Sequence, residues 1–150
     1  METIFEVIKS ISENIKVVLP AHPNPNVRIA LEKVGLEYVE PMDYITFLNY
    51  MYHSEYIITD SGGVQEEAAS LGKKVIICRD NTERNEVIDC GLGILVPPTT
   101  RTEMLMSIAP FTMNSAKPVK SPFGDGDSSK IMISLIKHYD EKYMSDNTYV

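Results

Sequence analysis

The chain has 150 residues, enough to bury one core without demanding two domains. Hydrophobic residues make up 43% and charged residues 23%, ordinary proportions for a soluble globular protein, and no apolar stretch approaches a membrane span. The formal net charge of −7 excludes general nucleic-acid binding, which needs a cationic face, yet allows a small anion held by a helix N-terminus and one arginine.

The acidic start, Met1 to Glu6, has no basic region followed by an apolar run and is not read as a signal peptide. Ile4, Phe5, Ile8 and Ile11 share one face of a helix expected over Glu2–Asn14. Lys16–Leu19 reads as a buried strand stopped by Pro20. Beyond a loop punctuated by Pro23 and Pro25, Asn26–Val34 reads as a helix ended by Gly35, and Leu36–Val39 as a short strand. Asp43 is placed to cap a helix through Tyr52, and Tyr56–Thr59 is rich in β-formers. Ser61 opens a helix through Leu71 that Gly72 closes, and Lys74–Cys78 is the next strand. A short helix over Glu83–Asp89, a strand over Gly93–Val96 and helices over Arg101–Ile108 and Ser128–Tyr143 complete the series. The Pro-, Gly- and Ser-rich segment from Pro110 to Gly126 reads mostly as loop, and residues 145–150 as a frayed tail behind one domain over 1–144.

Strands alternating with helices specify an α/β fold with a mostly parallel sheet. In such folds ligands bind beyond the C-terminal ends of the strands. The residues with chemistry fall there: Pro20-Ala21-His22, Asp60-Ser61-Gly62-Gly63 and Arg79-Asp80. Cys78 and Cys90 have neither metal spacing nor a disulfide pattern, which points to a reducing, cytoplasmic setting; no metal site is expected.

The most informative stretch is Thr59 to Glu67, where a strand runs through a glycine-bearing turn into a helix. Gly62 and Gly63 let a ligand approach the backbone, and the helix-start N–H groups with the Ser61 hydroxyl suit a diphosphate. The same residues serve equally well as a simple N-cap and tight turn. Glu66 suits the helix dipole, whereas Glu67 reaches farther along and a carboxylate there can accept from both hydroxyls of a ribose. Arg79 and Arg84 can clamp phosphate oxygens, or form surface pairs with Asp80 and Glu83. His22, just after a strand, is either a structural hydrogen-bonder or a catalyst. Phe47, Tyr50 and Tyr52 are core residues by default, though an exposed aromatic there can stack on a base.

Asp60-Ser61-Gly62-Gly63-Val64-Gln65-Glu66-Glu67-Ala68, Leu71-Gly72-Lys73, Arg79-Asp80, Thr82-Glu83-Arg84 and Pro122-Phe123-Gly124-Asp125-Gly126 closely resemble the non-hydrolysing UDP-N-acetylglucosamine 2-epimerases. His22 to Arg28 and Pro41 to Phe47 fit the same family, so the resemblance covers nearly the whole chain. It implies one Rossmann-like half of the two-domain GT-B arrangement, the C-terminal, UDP-holding half. It also implies interconversion of UDP-N-acetylglucosamine and UDP-N-acetylmannosamine by anti elimination of UDP and re-addition, without a nicotinamide or other cofactor.

By position, the resemblance assigns diphosphate to Ser61 and the N–H groups of Gly62 and Gly63, and the ribose hydroxyls to Glu67. Phe47 goes against the uracil, whose edge the Pro41–Met42 backbone reads. Arg84 faces the phosphates and sugar, and His22 is the catalytic histidine. Two features of the family are missing: the N-terminal domain with its catalytic carboxylates, and the first strand of the C-terminal sheet with its His-Arg-x-Glu-Asn motif. The expectation is therefore a UDP-sugar-binding half with little or no turnover alone, either a fragment of a longer gene product or completed by a separate N-terminal-domain polypeptide, with self-association at the apolar face left open as the other partner reading, and no nucleic acid or membrane as partner. The alternatives are a non-catalytic nucleotide-sugar module, a half glycosyltransferase of GT-B architecture, or a hydrolysing relative.

Overall fold

A computed structural model describes residues 1–114 and 120–143, with side chains described as far as residue 140. In chain order come α1 (Glu2–Ser12), α2 (Pro25–Val34), α3 (Tyr44–His53), β1 (Tyr56–Thr59), α4 (Gly62–Ser70), β2 (Lys74–Ile77), α5 (Asn85–Asp89), β3 (Gly93–Leu95), α6 (Arg101–Met113) and α7 (Ser128–Tyr143). The strands form a parallel sheet in the order β1-β2-β3, with Tyr56 opposite Lys74 and Val75 opposite Gly93. This is the α/β, Rossmann-like architecture expected, a parallel sheet flanked by helices.

The core follows from the pleat of β2, whose four residues are all buried. Alternate side chains point to opposite faces of a strand. Val75 and Ile77 accordingly pack with Met51, Ala68, Ala69, Val87 and Leu92 from α3, α4, α5 and the turn after α5. Ile76 and Cys78 pack the other way, against Val7 of α1 and Met104 and Ile108 of α6. A third cluster joins Phe5 and Ile8 to Ala30, Leu31 and Leu36 around α2.

Local signals set most boundaries. Asn24 caps α2, accepting from Asn26 N at 2.9 Å, and Gly35 ends it at φ 67°, the left-handed conformation that favours glycine. Asp43 caps α3 by accepting from Thr46 N at 3.0 Å. Thr100 and Glu103 form a reciprocal capping box at the start of α6.

Three expectations are corrected. Lys16–Leu19 and Leu36–Val39 are not strands; they meet in one parallel bridge, Pro20 to Val39, through Ala21 N to Val39 O at 3.0 Å and Val39 N to Leu19 O at 2.9 Å. Pro20 has no N–H to donate, and Val17 to Leu19 are only half-buried, with no strand on their far side. Secondly, α6 runs through Pro110 to Met113 rather than stopping at Ile108. Its last carbonyls find donors: Asn114 Nδ2 reaches Pro110 O at 2.9 Å, and the buried Lys74 ammonium donates to Phe111 O and Asn114 O. The loop read from Pro110 onward therefore begins later, and residues 115–119 and the tail at 145–150 lie outside the described residues. Finally, Ser61 occupies the N-cap position of α4 but its side chain makes no capping hydrogen bond.

Helix α7 stands apart from this packing. Every described side chain from Ser128 to Asp140 is exposed, including Ile131, Ile133, Leu135 and Ile136.

Candidate functional site

The site is built where β1 ends. Thr59 Oγ1 accepts from Ser61 N at 3.0 Å, which turns the chain out of the strand and into α4. The first-turn N–H groups of a helix have no intrahelical acceptor. Here that turn is Gly62, Gly63 and Val64, preceded by the exposed Ser61. A β-carbon on Gly63 would meet nothing within 4 Å, so the helix start is open. A β-carbon on Gly62 would lie 3.2 Å from Arg84 Cζ and 3.5 Å from Nη1, so the Arg84 guanidinium lies against that turn.

The loop after β2 holds Arg84 there. Thr82 Oγ1 donates to Gln65 Oε1 at 2.7 Å and accepts from Arg84 N at 3.1 Å, which ties the loop to α4. Arg84 Nε donates to Glu66 Oε1 at 2.7 Å and Nη1 to Glu83 Oε2 at 2.8 Å. These carboxylates, Glu66 foremost, raise the pKa of a guanidinium that is charged at any ordinary pH. They also offset its charge, so the helix start carries less positive field than a lone arginine supplies. Nη2 has no hydrogen-bond partner among the described residues and remains for a ligand. Arg79, the second arginine of the expected clamp, makes no side-chain ion pair among the described residues.

Glu67 lies on α4 beyond Glu66, half-buried, and its Oε1 accepts from Tyr44 Oη at 3.1 Å. That bond, with partial burial, raises the tyrosine's pKa above its ordinary value. Tyr44 opens α3, and Phe47 lies one turn on, half-buried against the core cluster of Met51, Ala68 and Val75.

His22 is exposed, and its Nδ1 accepts from Asn24 N at 3.2 Å. The proton of the neutral ring therefore sits on Nε2, facing away from that turn. His22 lines a cavity of about 220 Å³ together with Thr59, Asp60 and Cys78, so it meets the end of β1. Burial, with Asp60 nearby, pushes the Cys78 thiol up to about 11. A larger depression of about 510 Å³ lies far from the strand ends, between α1, α2 and α6. Glu2, Glu6 and Glu13 balance Lys9, Lys33 and Arg101 there, which leaves no net charge to draw a diphosphate.

The sequence profile described as UDP-N-acetylglucosamine 2-epimerase matches residues 1–137. The chain belongs to this family. The Bacillus subtilis (strain 168) UDP-N-acetylglucosamine 2-epimerase is 38% identical over 93% of this chain, which covers 40% of that relative. Among solved structures, the S. aureus MnaA–UDP co-structure superposes with a TM-score of 0.78 at 31% identity, over 92% of this chain and 40% of that one. The Neisseria meningitidis UDP-GlcNAc 2-epimerase bound to UDP-GlcNAc gives 0.79 at 31% identity, over 91% and 40%. This member of the epimerase family thus spans about two-fifths of the length of the relatives it matches. Among the described residues, no helix is long and apolar enough to cross a membrane.

The fold sets Arg84 against Gly62 at the start of α4, brings Glu67 of that helix to Tyr44 at the start of α3, packs Phe47 against the core cluster and places His22 across the end of β1. Sequence reasoning missed two contributors. Tyr44 holds Glu67, and its position beside the Asp43 cap was the one available signal. Gln65, fully buried with Nε2 unpartnered, anchors Thr82; in sequence it looks like any helix residue.

Proposed function

We propose that this chain is the UDP-binding part of a UDP-N-acetylglucosamine 2-epimerase, acting in the cytoplasm on UDP-N-acetylglucosamine. The observation that carries this reading is the Arg84 guanidinium against Gly62 at the open start of α4, with Glu67 farther along the same helix. Helix-start amides and a forked guanidinium are complementary to a diphosphate, and a carboxylate farther along the helix is complementary to a ribose diol. Ser61, Gly62 and Gly63 hold the diphosphate, Arg84 its outer oxygens, Glu67 the ribose and Phe47 the uracil. The family relatives crystallised with UDP and with UDP-GlcNAc support the same choice of ligand.

In the complete reaction, elimination of UDP and re-addition invert C2 of the sugar. The groups here stabilise the departing diphosphate, with His22 Nε2–H placed to donate to it or to move a proton. Nothing in the described site supplies carboxylates at C2 and C3 of the sugar. That half of the chemistry is assigned to an N-terminal domain like that of the family's longer members, and the chain by itself is expected to turn over little or no substrate. Calorimetric titration of the pure chain with UDP tests the binding reading, with saturable heat expected. Absence of binding at millimolar UDP overturns it, and family-level production of UDP-N-acetylmannosamine by this chain alone overturns the division of labour.

A further inference from the structure

The guanidinium at the open start of α4 is outnumbered. Arg84 Nε donates to Glu66 Oε1 at 2.7 Å and Nη1 to Glu83 Oε2 at 2.8 Å, one positive charge against two negative. The first turn of α4 carries no acidic residue, so the partial positive charge of its amides is undiminished there. The negative charge enters with Glu66 of the second turn, at the guanidinium itself. Asp60, exposed and next to the N-cap residue in sequence, adds to the same sign. A site that held as much phosphate charge as possible would leave this arginine unpaired.

The two candidate ligands differ in that charge. A terminal phosphate ionises a second time near pH 6 and carries close to two negative charges at neutrality. Joined to a sugar, the same phosphate is a diester and carries one. We propose that Glu66, aided by Glu83, sets the ligand preference of this site: by muting Arg84 it rejects the extra charge of free UDP and favours the sugar-linked diphosphate. This deepens the proposed function and rests on it.

Arg84 Nη2 can still grip an outer phosphate oxygen, because a hydrogen bond needs a lone pair rather than a second charge. The side chain of Glu66 is 43% exposed and that of Glu83 80%, so solvent screens Glu83 more and Glu66 carries most of the effect. In the complete reaction the terminal phosphate gains its extra charge as the sugar leaves. A cradle that favoured free UDP would make the eliminated state a sink, and a muted one keeps re-addition competitive. If Glu66 served merely to hold Arg84 in place, its loss would weaken both ligands alike.

The test is calorimetric titration of the full chain with UDP and with the β-methyl ester of UDP, which keeps the diphosphate but has one charge fewer and no sugar. In Glu66→Gln the ratio of the two affinities should move toward UDP by about threefold, the size of a unit charge acting across several ångströms of largely solvated surface. Glu83→Gln should move it the same way by less, and it carries the test if Glu66→Gln does not melt cooperatively. Glu66→Asp, which keeps the charge, should restore the native ratio. Salt raised to about 0.5 M should shrink the shifts. UDP-N-acetylglucosamine should follow the ester. A ratio that stays at the native value in both glutamine variants, or moves toward the ester, overturns the proposal and leaves the proposed function standing. Failure of the native chain to bind either ligand sinks both.

Discussion

The Arg84 guanidinium lies against Gly62, close enough that a β-carbon on that glycine would come within 3.2 Å of Cζ. Gly62→Ala should fold, because the flexible arginine can give way by a few tenths of an ångström. On the proposed function the displaced guanidinium meets a diphosphate less well, and UDP affinity should fall. Gly63→Ala meets no protein atom within 4 Å, so any loss of affinity there reports the ligand itself. Calorimetry on both variants, with thermal melts as the folding control, separates the two cases.

Arg84→Ala should weaken UDP binding by about tenfold to a hundredfold, the range for hydrogen bonds to charged groups. Arg84→Lys should recover only part of it, because an ammonium keeps the charge but loses the fork. Equal affinity of all three proteins for UDP would remove Arg84 from the site.

Tyr44 and Glu67 give a pH test. The tyrosine is held in its neutral, donating form, with its pKa raised chiefly by the hydrogen bond to Glu67. The contribution of this bond is fully present below the ordinary tyrosine pKa and is lost as pH rises through the higher folded value. Ionised Tyr44 then repels Glu67 and disturbs the ribose contact proposed for it. UDP affinity should therefore drop at alkaline pH in the native chain and less in Tyr44→Phe. The 2′-deoxy analogue of UDP, lacking one partner for Glu67, should bind about tenfold more weakly to the native chain and show little further loss in Glu67→Gln.

Gly93 is structural. A β-carbon there would lie 2.8 Å from Val87 Cγ1 and 3.2 Å from Val87 O, and the backbone atom cannot yield. Gly93→Ala should cost about 1–3 kcal/mol in urea unfolding, the range for overpacking, without altering the ligand groups of α4. Gly93→Ala combined with Val87→Ala should recover the side-chain part of that loss.

The thiols should be distinguishable. Cys78 is 5% exposed with its pKa pushed up to about 11, so little thiolate exists near neutrality. A thiol reagent at pH 8 should modify Cys90 first in the folded protein and both residues in denaturant. Equal rates in the folded state would show that the region around Cys78 opens readily.

The sequence made the sheet from β1 onward legible because its cues are local: β-rich runs bounded by Ser61, Gly72 and Asp80. The caps at Gly35 and Asp43 were legible for the same reason. Lys16–Leu19 misled because a strand exists only if something pairs with it, and Val39 alone supplies too little. Pro110 misled because the donors that satisfy the end of α6 include Lys74, remote in sequence. At the candidate site, the places of the glycines, Ser61 and Glu67 at the start and along α4 could be read from spacing. The neutralisation of Arg84 by Glu66 and Glu83, and the grip of Tyr44 on Glu67, depend on where side chains end up, and spacing does not encode that.

Among the described residues every side chain of α7 is exposed, so they bury little surface against the sheet. Sixteen residues alone are near the lower limit at which a helix persists in water. The molecule should then lose order in two acts. A gradual, weakly cooperative fading of ellipticity from α7 should begin at low temperature, and the sheet with its helices should melt sharply later. Calorimetry, which weighs buried surface, should register only the second.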